Sequence, residues 1–166
     1  DYNGDGINDL YMSDTGRRPG NHGKNDPIYL SQPNGTWKEV SLTNVTGYGV
    51  KRGQGLVNFS HGGDTGDIDG DGDIDVVLPS NAWVGTNGEV LCLMNDGTGQ
   101  FKSKKCGNQI GQSVALGDYD GDGDLDLYVG KEHLKAIKQF NVMKYAGNAS
   151  RGFVGVFKND GKGNFT

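Results

Sequence analysis

Three short acidic segments repeat one spacing of oxygen-bearing side chains. In each segment an Asp or Asn stands at positions 1, 3, 5 and 9, and glycines at positions 4 and 6 let the backbone turn so that alternate side chains converge. The backbone carbonyl of position 7 can add a further oxygen. The predicted metal ligands are Asp1, Asn3, Asp5, Ile7 and Asp9 in the first loop, Asp67, Asp69, Asp71, Asp73 and Asp75 in the second, and Asp118, Asp120, Asp122, Asp124 and Asp126 in the third.

These oxygens favour the binding of a hard divalent cation. Five or six oxygens in an adaptable loop suit Ca²⁺ better than Mg²⁺, and they exclude metals that prefer thiolate or imidazole. The three loops hold 13 of the 21 acidic residues, so the carboxylates repel one another unless a cation lies among them. We therefore predict up to three bound Ca²⁺ ions, whose favoured role is to stabilise the fold.

The acidic loops have two other interpretations, an EF-hand and plain surface turns. An EF-hand requires a Glu at position 12, where this chain has Met12, Leu78 and Val129, so the EF-hand is excluded. Asp-Gly pairs also occur in plain surface turns. Three copies in the same register favour the metal site over such turns.

The loops must be positioned by β-strands, because a short apolar run follows each of them. Residues 10–12, 76–78 and 127–129 are predicted to be strands buried on both faces, and residues 89–94 and 153–158 to be further strands. With 30 glycines in the chain, long helices are not expected. The glycine-free, lysine-rich stretch 131–146 is either a short helix or a basic loop.

A second repeated element organises the chain. Residues 95–101 and 159–165 share the pattern Asn-Asp-Gly-X-Gly-X-Phe, and residues 31–37 are a degenerate copy that ends in Trp37. Each unit reads as acidic loop, strand, linker, strand, glycine-rich turn and strand, over approximately 1–50, 51–107 and 108–166. This long period predicts an all-β chain of β-propeller-like blades better than it predicts a sandwich.

The segments GDIDGDGDIDVVLPSN and GDYDGDGDLDLYVG and the turn NDGTGQF resemble FG-GAP or VCBS repeats, which occur in the β-propellers of integrin α chains and of many secreted proteins. The resemblance covers all three units. It implies blades of four antiparallel strands with a Ca²⁺ in a loop on one rim, held by the Asp and Asn side chains named above. The first loop departs from the pattern at Asn3 and has no acid at position 7, so weaker binding is expected there.

Propellers of this kind usually have more blades than the three units visible here. The chain is therefore expected to be either a fragment of a longer polypeptide or a subunit whose copies complete one another. An unfinished blade leaves a strand edge that pairs readily with another chain. Head-to-tail assembly into a filament is a hypothesis that follows from this.

The two cysteines flank the NDGTG turn. Cys92 and Cys106 lie symmetrically about Gly99 and face each other if the turn is a hairpin, so we predict a disulfide worth about 3 kcal/mol in the chain-entropy treatment. The alternative is two free buried thiols. A zinc site is unsupported, because no other His or Cys lies at ligand spacing.

Five glycosylation sequons exceed the number expected by chance, although a bias toward Asn and Thr is an alternative explanation. Together with the cysteine pair and loops suited to millimolar calcium, they favour an extracellular location. No apolar run is long enough for a membrane span, and the net charge of −5 disfavours nucleic acid as a partner. The acceptor residues are Asn34, Asn44, Asn58, Asn148 and Asn164.

Two functions of different classes are compatible with the sequence. The first is a non-enzymatic adhesion, ligand-binding or filament module with protein or glycan partners, because His22, His61 and His133 accompany no nucleophile motif. The second is a polysaccharide-active enzyme or its carbohydrate-binding domain, since calcium-bound propellers also resemble those of some secreted lyases. Catalytic residues would then be sought in the basic segment 131–151, for example Lys135 and Lys138.

Overall fold

The computed structural model describes residues 1–13, 27–40, 62–79, 90–107, 113–130 and 154–166, and the backbone of four two-residue strands between them. Within these residues every regular element is a β-strand, so the all-β prediction is confirmed. The strands are β1 (Leu10–Tyr11), β2 (Arg17–Arg18), β3 (Asn21–His22), β4 (Ile28–Ser31), β5 (Trp37–Val40), β6 (Val50–Lys51), β7 (Leu56–Val57), β8 (Asp64–Gly66), β9 (Asp75–Leu78), β10 (Val90–Asn95), β11 (Phe101–Gly107), β12 (Ser113–Gly117), β13 (Asp126–Gly130) and β14 (Val154–Phe157).

Of the five antiparallel sheets in the described residues, three have more than two strands, and these follow one another along the chain. The middle sheet has four strands in sequence order, β8-β9-β10-β11, as predicted for a blade. The first sheet (β1-β4-β5) and the third sheet (β12-β13-β14) have three strands each in the described residues. In every sheet the strand after the acidic loop pairs with the strand that leads into the glycine-rich turn. A bridge between Asn159 and Phe165 closes the last turn.

The three sheets stack face to face, and the middle sheet is buried on both faces. Side chains of a strand point alternately to opposite faces, so Val76 and Leu78 of β9 pack toward the first sheet while Val77 packs toward the third. All three residues are fully buried, as predicted. The prediction is wrong for Leu10, Met12 and Tyr128, which are exposed, and Met12 lies beyond the end of β1. Leu10 and Tyr128 lie on the outer sheets, where the described residues cover one face only.

Two apolar clusters fill the spaces between the sheets. The first joins Ile28 and Leu30 of the first sheet to Leu93 of the middle sheet, and the second joins Cys92 of the middle sheet to Leu127 of the third. Complete burial of each aliphatic side chain contributes about 1.5–3 kcal/mol. The clusters therefore hold the acidic loops of successive sheets in a fixed relation to one another.

Candidate metal centre

Each acidic loop leads directly into a strand of its sheet, and the second and third loops join the first two strands. The second loop joins β8 to β9 and the third joins β12 to β13. Their tight course requires left-handed backbone at glycine, as at Gly70 (φ 77°) and Gly72 (φ 93°). The predicted function of the glycines at positions 4 and 6 thus matches the backbone conformation.

The first residue of each loop organises the backbone around it. Oδ1 of Asp67 accepts hydrogen bonds from the N–H groups of Gly70 (2.7 Å) and Asp71 (3.1 Å), and its Oδ2 accepts from Gly72 (3.0 Å). Asp118 makes the same three bonds in the third loop. Such bonds hold the carboxylate in one orientation, with its remaining lone pairs available to a cation.

The ninth residue of each loop ties the loop to the turn of its own sheet. Oδ2 of Asp75 accepts the N–H of Ile68 at 3.0 Å, and Oδ1 accepts that of Asn95 at 2.7 Å. Asp9 and Asp126 make the corresponding pair of bonds. This residue therefore has a structural role in addition to its predicted role as a ligand.

Two of the loops gather three carboxylates each. Oxygens of Asp67, Asp69 and Asp71 lie within 4.8 Å of one another in the second loop, and a second group forms in the third loop. Oδ1 of Asp69 is buried and has no hydrogen-bond partner in the described part of the chain. A buried acceptor without a partner is costly, and a hard cation would satisfy it. The residues present therefore fit Ca²⁺. The third-loop group is Asp118, Asp120 and Asp126.

A family model described as an FG-GAP-like repeat matches residues 1–78 and again residues 67–129. The chain belongs to the FG-GAP-like repeat family. The two matches include all three acidic loops and the sheets that carry them up to Val129. No curated protein and no solved structure is similar enough to count as a match.

The first FG-GAP-like loop differs from the other two. Asp1, Asp5 and Asp9 do not form a three-carboxylate group among the described residues. The side chain of Asn3 is used inside the loop, because its Nδ2 donates to Oδ2 of Asp5 at 3.0 Å and its Oδ1 accepts the N–H of the same residue at 3.2 Å. An amide that donates to a carboxylate reduces the repulsion that a cation would otherwise offset, and weaker binding in this loop stays a prediction.

At position 7 the side chain contacts the turn of its own sheet. A Cβ built on Gly97 would lie 2.7 Å from Oδ2 of Asp73, and one built on Gly161 would lie 2.7 Å from Oδ2 of Asp124. The glycine leaves room for the carboxylate in its present position, and a side chain there would displace it. The carbonyl groups of position 7, including that of Ile7, stay predicted ligands.

Burial and mutual repulsion raise the pKa values of two acids in the second loop. Burial, followed by the negative charges of Asp71 and Asp67, raises the pKa of Asp69. Burial also raises the pKa of Asp75 to about 6, although the N–H groups of Asn95 and Ile68 act in the opposite direction. A divalent cation bound among these oxygens would favour their ionised forms.

Lys158, which the sequence motifs did not indicate, enters the third loop. Its Nζ lies 3.1 Å from Oδ2 of Asp122 and makes a closer contact with Oδ2 of Asp120. Hydrogen bonds to Asp120 and Asp122 raise the pKa of Lys158. The N–H of Asp124, followed by Lys158, lowers the pKa of Asp122. A basic residue just before the third turn was the available signal, since Met94 and Leu30 occupy that place in the other repeats.

The disulfide between Cys92 and Cys106 is confirmed, with Cα atoms 5.8 Å apart. The expected symmetry about Gly99 is wrong. Asn95 pairs with Phe101 and Cys92 with Lys104, so the hairpin is centred one residue earlier. A register shift next to Val90 places Cys106 as an extra residue on β11, and this bulge brings its sulfur to Cys92.

Several predicted features can be placed only in part. Asn34 and Asn164 are exposed, whereas Asn44, Asn58 and Asn148 lie outside the described residues. The described residues also do not include His61, His133 or the segment 131–151 with Lys135 and Lys138. Only the backbone of His22 is described. In the described part of the chain no helix is long and apolar enough to cross a membrane.

Proposed function

We propose that this chain is a non-enzymatic structural module of an extracellular protein, in which Ca²⁺ in the acidic loops stabilises the stack of FG-GAP-like units. The observation that carries the proposal is the unpartnered Oδ1 of Asp69 inside the group formed with Asp67 and Asp71. Because this oxygen is buried, water does not solvate it, and a bound cation would compensate for the lost solvation.

A cation in the second loop would act beyond that loop. The carbonyl of Ile68, the second residue of the loop, accepts the Nδ2 hydrogen of Asn159 at 2.8 Å. The carbonyl oxygen of Gly161 lies 3.4 Å from a Cβ built on Gly70. The turn of the third sheet therefore rests on the calcium loop of the middle sheet. Fixing that loop would stabilise the contact between sheets.

Calorimetric melting in Ca²⁺ and in EGTA tests this proposal. Ca²⁺ is expected to raise the melting temperature by several degrees, as mass action on a native-state ligand requires. Asp71→Asn should remove much of that rise. Glu39→Gln, which removes an exposed acid outside the loops, should preserve it. Equal melting temperatures in Ca²⁺ and EGTA would contradict the proposal.

The extracellular location is supported by the disulfide and by two exposed sequon residues, Asn34 and Asn164. Expression through a secretory pathway is expected to give a chain that carries N-glycans and in which neither cysteine can be alkylated. Mass spectrometry before and after enzymatic deglycosylation measures both properties. A secreted chain without glycan and with free thiols would count against this location.

Inside the stack, an aromatic residue of one loop contacts an aromatic residue of the next sheet's turn. The equivalent loop and turn residues on the two outer faces of the stack are exposed. Tyr2, the second residue of its loop, is buried and meets Phe101 edge to face, with ring centroids 5.5 Å apart. Tyr119 holds the same loop position in the third loop and is 73% exposed. Trp37 holds the turn position of Phe101 and is 54% exposed. Among the described residues, the outer face of the third sheet therefore exposes a loop aromatic without a turn aromatic to contact, and the outer face of the first sheet exposes a turn aromatic without a loop aromatic.

We further propose that a second copy of this chain stacks head to tail, with its Trp37 against Tyr119. The exposed cross-strand neighbours Tyr128 and Val156 would be covered in the same contact. Because the two faces differ, the contact is heterologous and can be repeated into a filament. Protein or glycan ligands for the assembled module stay a prediction.

Sedimentation equilibrium at increasing protein concentration tests the assembly. The weight-average mass is expected to rise with concentration, and Trp37→Lys and Tyr119→Lys should each prevent the rise because either change places a charge in the contact. Lys38→Met, an exposed change on β5, should leave association unaffected. A monomer at every concentration would contradict head-to-tail stacking.

A further inference from the structure

The third loop contains a cation supplied by the chain itself. Lys158 follows β14 and precedes the turn of the third sheet, and its Nζ contacts the carboxylates at positions 3 and 5, Asp120 and Asp122. These are two of the predicted ligands of the third loop. The ammonium group therefore lies among oxygens that a Ca²⁺ ion would have to share.

The second loop offers a matched comparison in which no lysine of the described residues contacts the carboxylates, although the charge of Lys104 acts on Asp69 from a distance. Its residue equivalent to Lys158 is Met94, which packs against the apolar cluster between the middle and third sheets. The position-3 oxygen of this loop, Oδ1 of Asp69, is buried without a partner. The nearby Lys104 donates instead to the carbonyl of Lys162, at 2.7 Å. The two loops have the same five acids and differ in this neutralising group.

We infer that Lys158 is a tethered counter-cation that makes the third loop less dependent on calcium, and weaker in binding it, than the second loop. The inference rests on the proposed calcium-binding function. A Ca²⁺ ion needs its oxygens at about 2.3–2.6 Å, so an ammonium group on the Oδ2 atoms of Asp120 and Asp122 occupies lone pairs that the ion would use and also repels the ion. Binding of Ca²⁺ to the third loop is therefore favoured when Lys158 moves away.

Displacement of this lysine does not require unfolding. The Lys158 side chain is 54% exposed, and the carboxylates that it contacts are also partly open to solvent. Because a lysine side chain is long and flexible, it can turn outward while the backbone of the turn stays in place. The carboxylates of the third loop can thus be neutralised by direct contact with Lys158 or by a divalent cation, whereas no lysine in the described part of the chain makes such a contact with the second loop.

Calcium titration of the full chain by calorimetry tests this inference. Asp71→Asn and Asp122→Asn assign the binding steps to the second and third loops. Lys158→Met, which installs the residue of the second repeat, should tighten binding at the third loop by about tenfold, because one positive charge leaves the neighbourhood of the ion. Met94→Lys should weaken binding at the second loop. Lys38→Met is the control for loss of a surface charge and should change neither step.

Melting temperatures in EGTA and in Ca²⁺ distinguish a counter-cation from a lysine that only stabilises the fold, because loss of the latter would lower both melting temperatures equally. In EGTA, Lys158→Met should lower the melting temperature, because the acids of the third loop lose their counter-charge. In saturating Ca²⁺ the same variant should melt at or above the temperature of the wild type. An equal fall in both solutions, or unchanged affinity of the third loop, overturns the inference. Absence of calcium binding in the wild type and in every variant overturns the proposed function, and the inference with it.

Discussion

The side chain of Asn95 donates its Nδ2 hydrogen to the backbone carbonyl of Tyr2, 2.7 Å away, although 93 residues separate the two. The next repeat makes the same bond, from Asn159 to the carbonyl of Ile68. In both cases the first residue of a glycine-rich turn binds the second residue of the acidic loop in the preceding sheet. The turn and the loop are therefore parts of one interface between successive units.

Replacement of Asn95 by Ala should destabilise the chain by about 2 kcal/mol, because it leaves buried backbone groups without partners. The Oδ1 of Asn95 also accepts the N–H groups of Asp96 and Gly99, so the variant loses three bonds. Urea unfolding measures the change. Gln100→Ala, an exposed substitution in the same turn, should have little effect. Equal effects of the two substitutions would contradict the importance of this contact.

Glycine substitutions should separate steric clash from backbone strain. Gly97→Ala combines a left-handed φ of 75° with a Cβ 2.7 Å from Oδ2 of Asp73. Gly35→Ala has a similar φ of 79° without a close atom, and Gly117→Ala has neither problem. We expect a loss of more than about 2 kcal/mol, a loss of about 1 kcal/mol and almost none, in that order. Thermal unfolding of the three variants checks the order, and any other order contradicts the explanation.

Loss of the disulfide should lower the free energy of unfolding by about 3 kcal/mol, because an open chain gains conformational entropy when it unfolds. The double variant Cys92→Ala, Cys106→Ala tests this by chemical denaturation. The wild type in a reducing agent should move in the same direction, and the double variant should not respond to that agent. If the reducing agent also destabilised the double variant, the change in the wild type could not be assigned to the disulfide.

The pKa of Asp96 should depend on Thr98. The hydroxyl and N–H of Thr98 donate to Oδ1 of Asp96, at 2.6 and 3.0 Å, and they lower the pKa of this carboxyl below its ordinary value. Thr98→Val removes the hydroxyl and should raise the pKa of Asp96, as read by NMR titration. The pKa of Asp160, which is lowered chiefly by Asn164, should not move.

The sign of the accompanying stability change follows from this pKa shift. A carboxyl whose folded pKa is depressed contributes stability above its unfolded pKa of about 3.9 and loses that contribution as the pH falls through the folded pKa. The difference in stability between the wild type and Thr98→Val should therefore be largest near neutral pH and shrink in acid. A difference that grows in acid would contradict the assignment.

The local features of the repeats were predictable because their signals are short in sequence. The acidic loops, the strands after them and the Cys92–Cys106 bridge were each predicted from residues within about 15 positions of one another. The register of the cysteine hairpin was not, because a bulge at one residue leaves no clear mark in composition. The exposure of Leu10 and Tyr128 also escaped prediction, since burial depends on which sheet lies opposite.

By itself the sequence determined the all-β class, the spacing of oxygens suited to calcium and the membership in a repeat family. Only the tertiary structure decided how the units contact one another: Asn95 with Tyr2, Asp73 against Gly97, and Lys158 in the third loop. The physical reason is that a metal loop and a strand are specified by neighbouring residues. A counter-cation or an interface hydrogen bond needs groups that are tens of residues apart and meet only when the sheets stack.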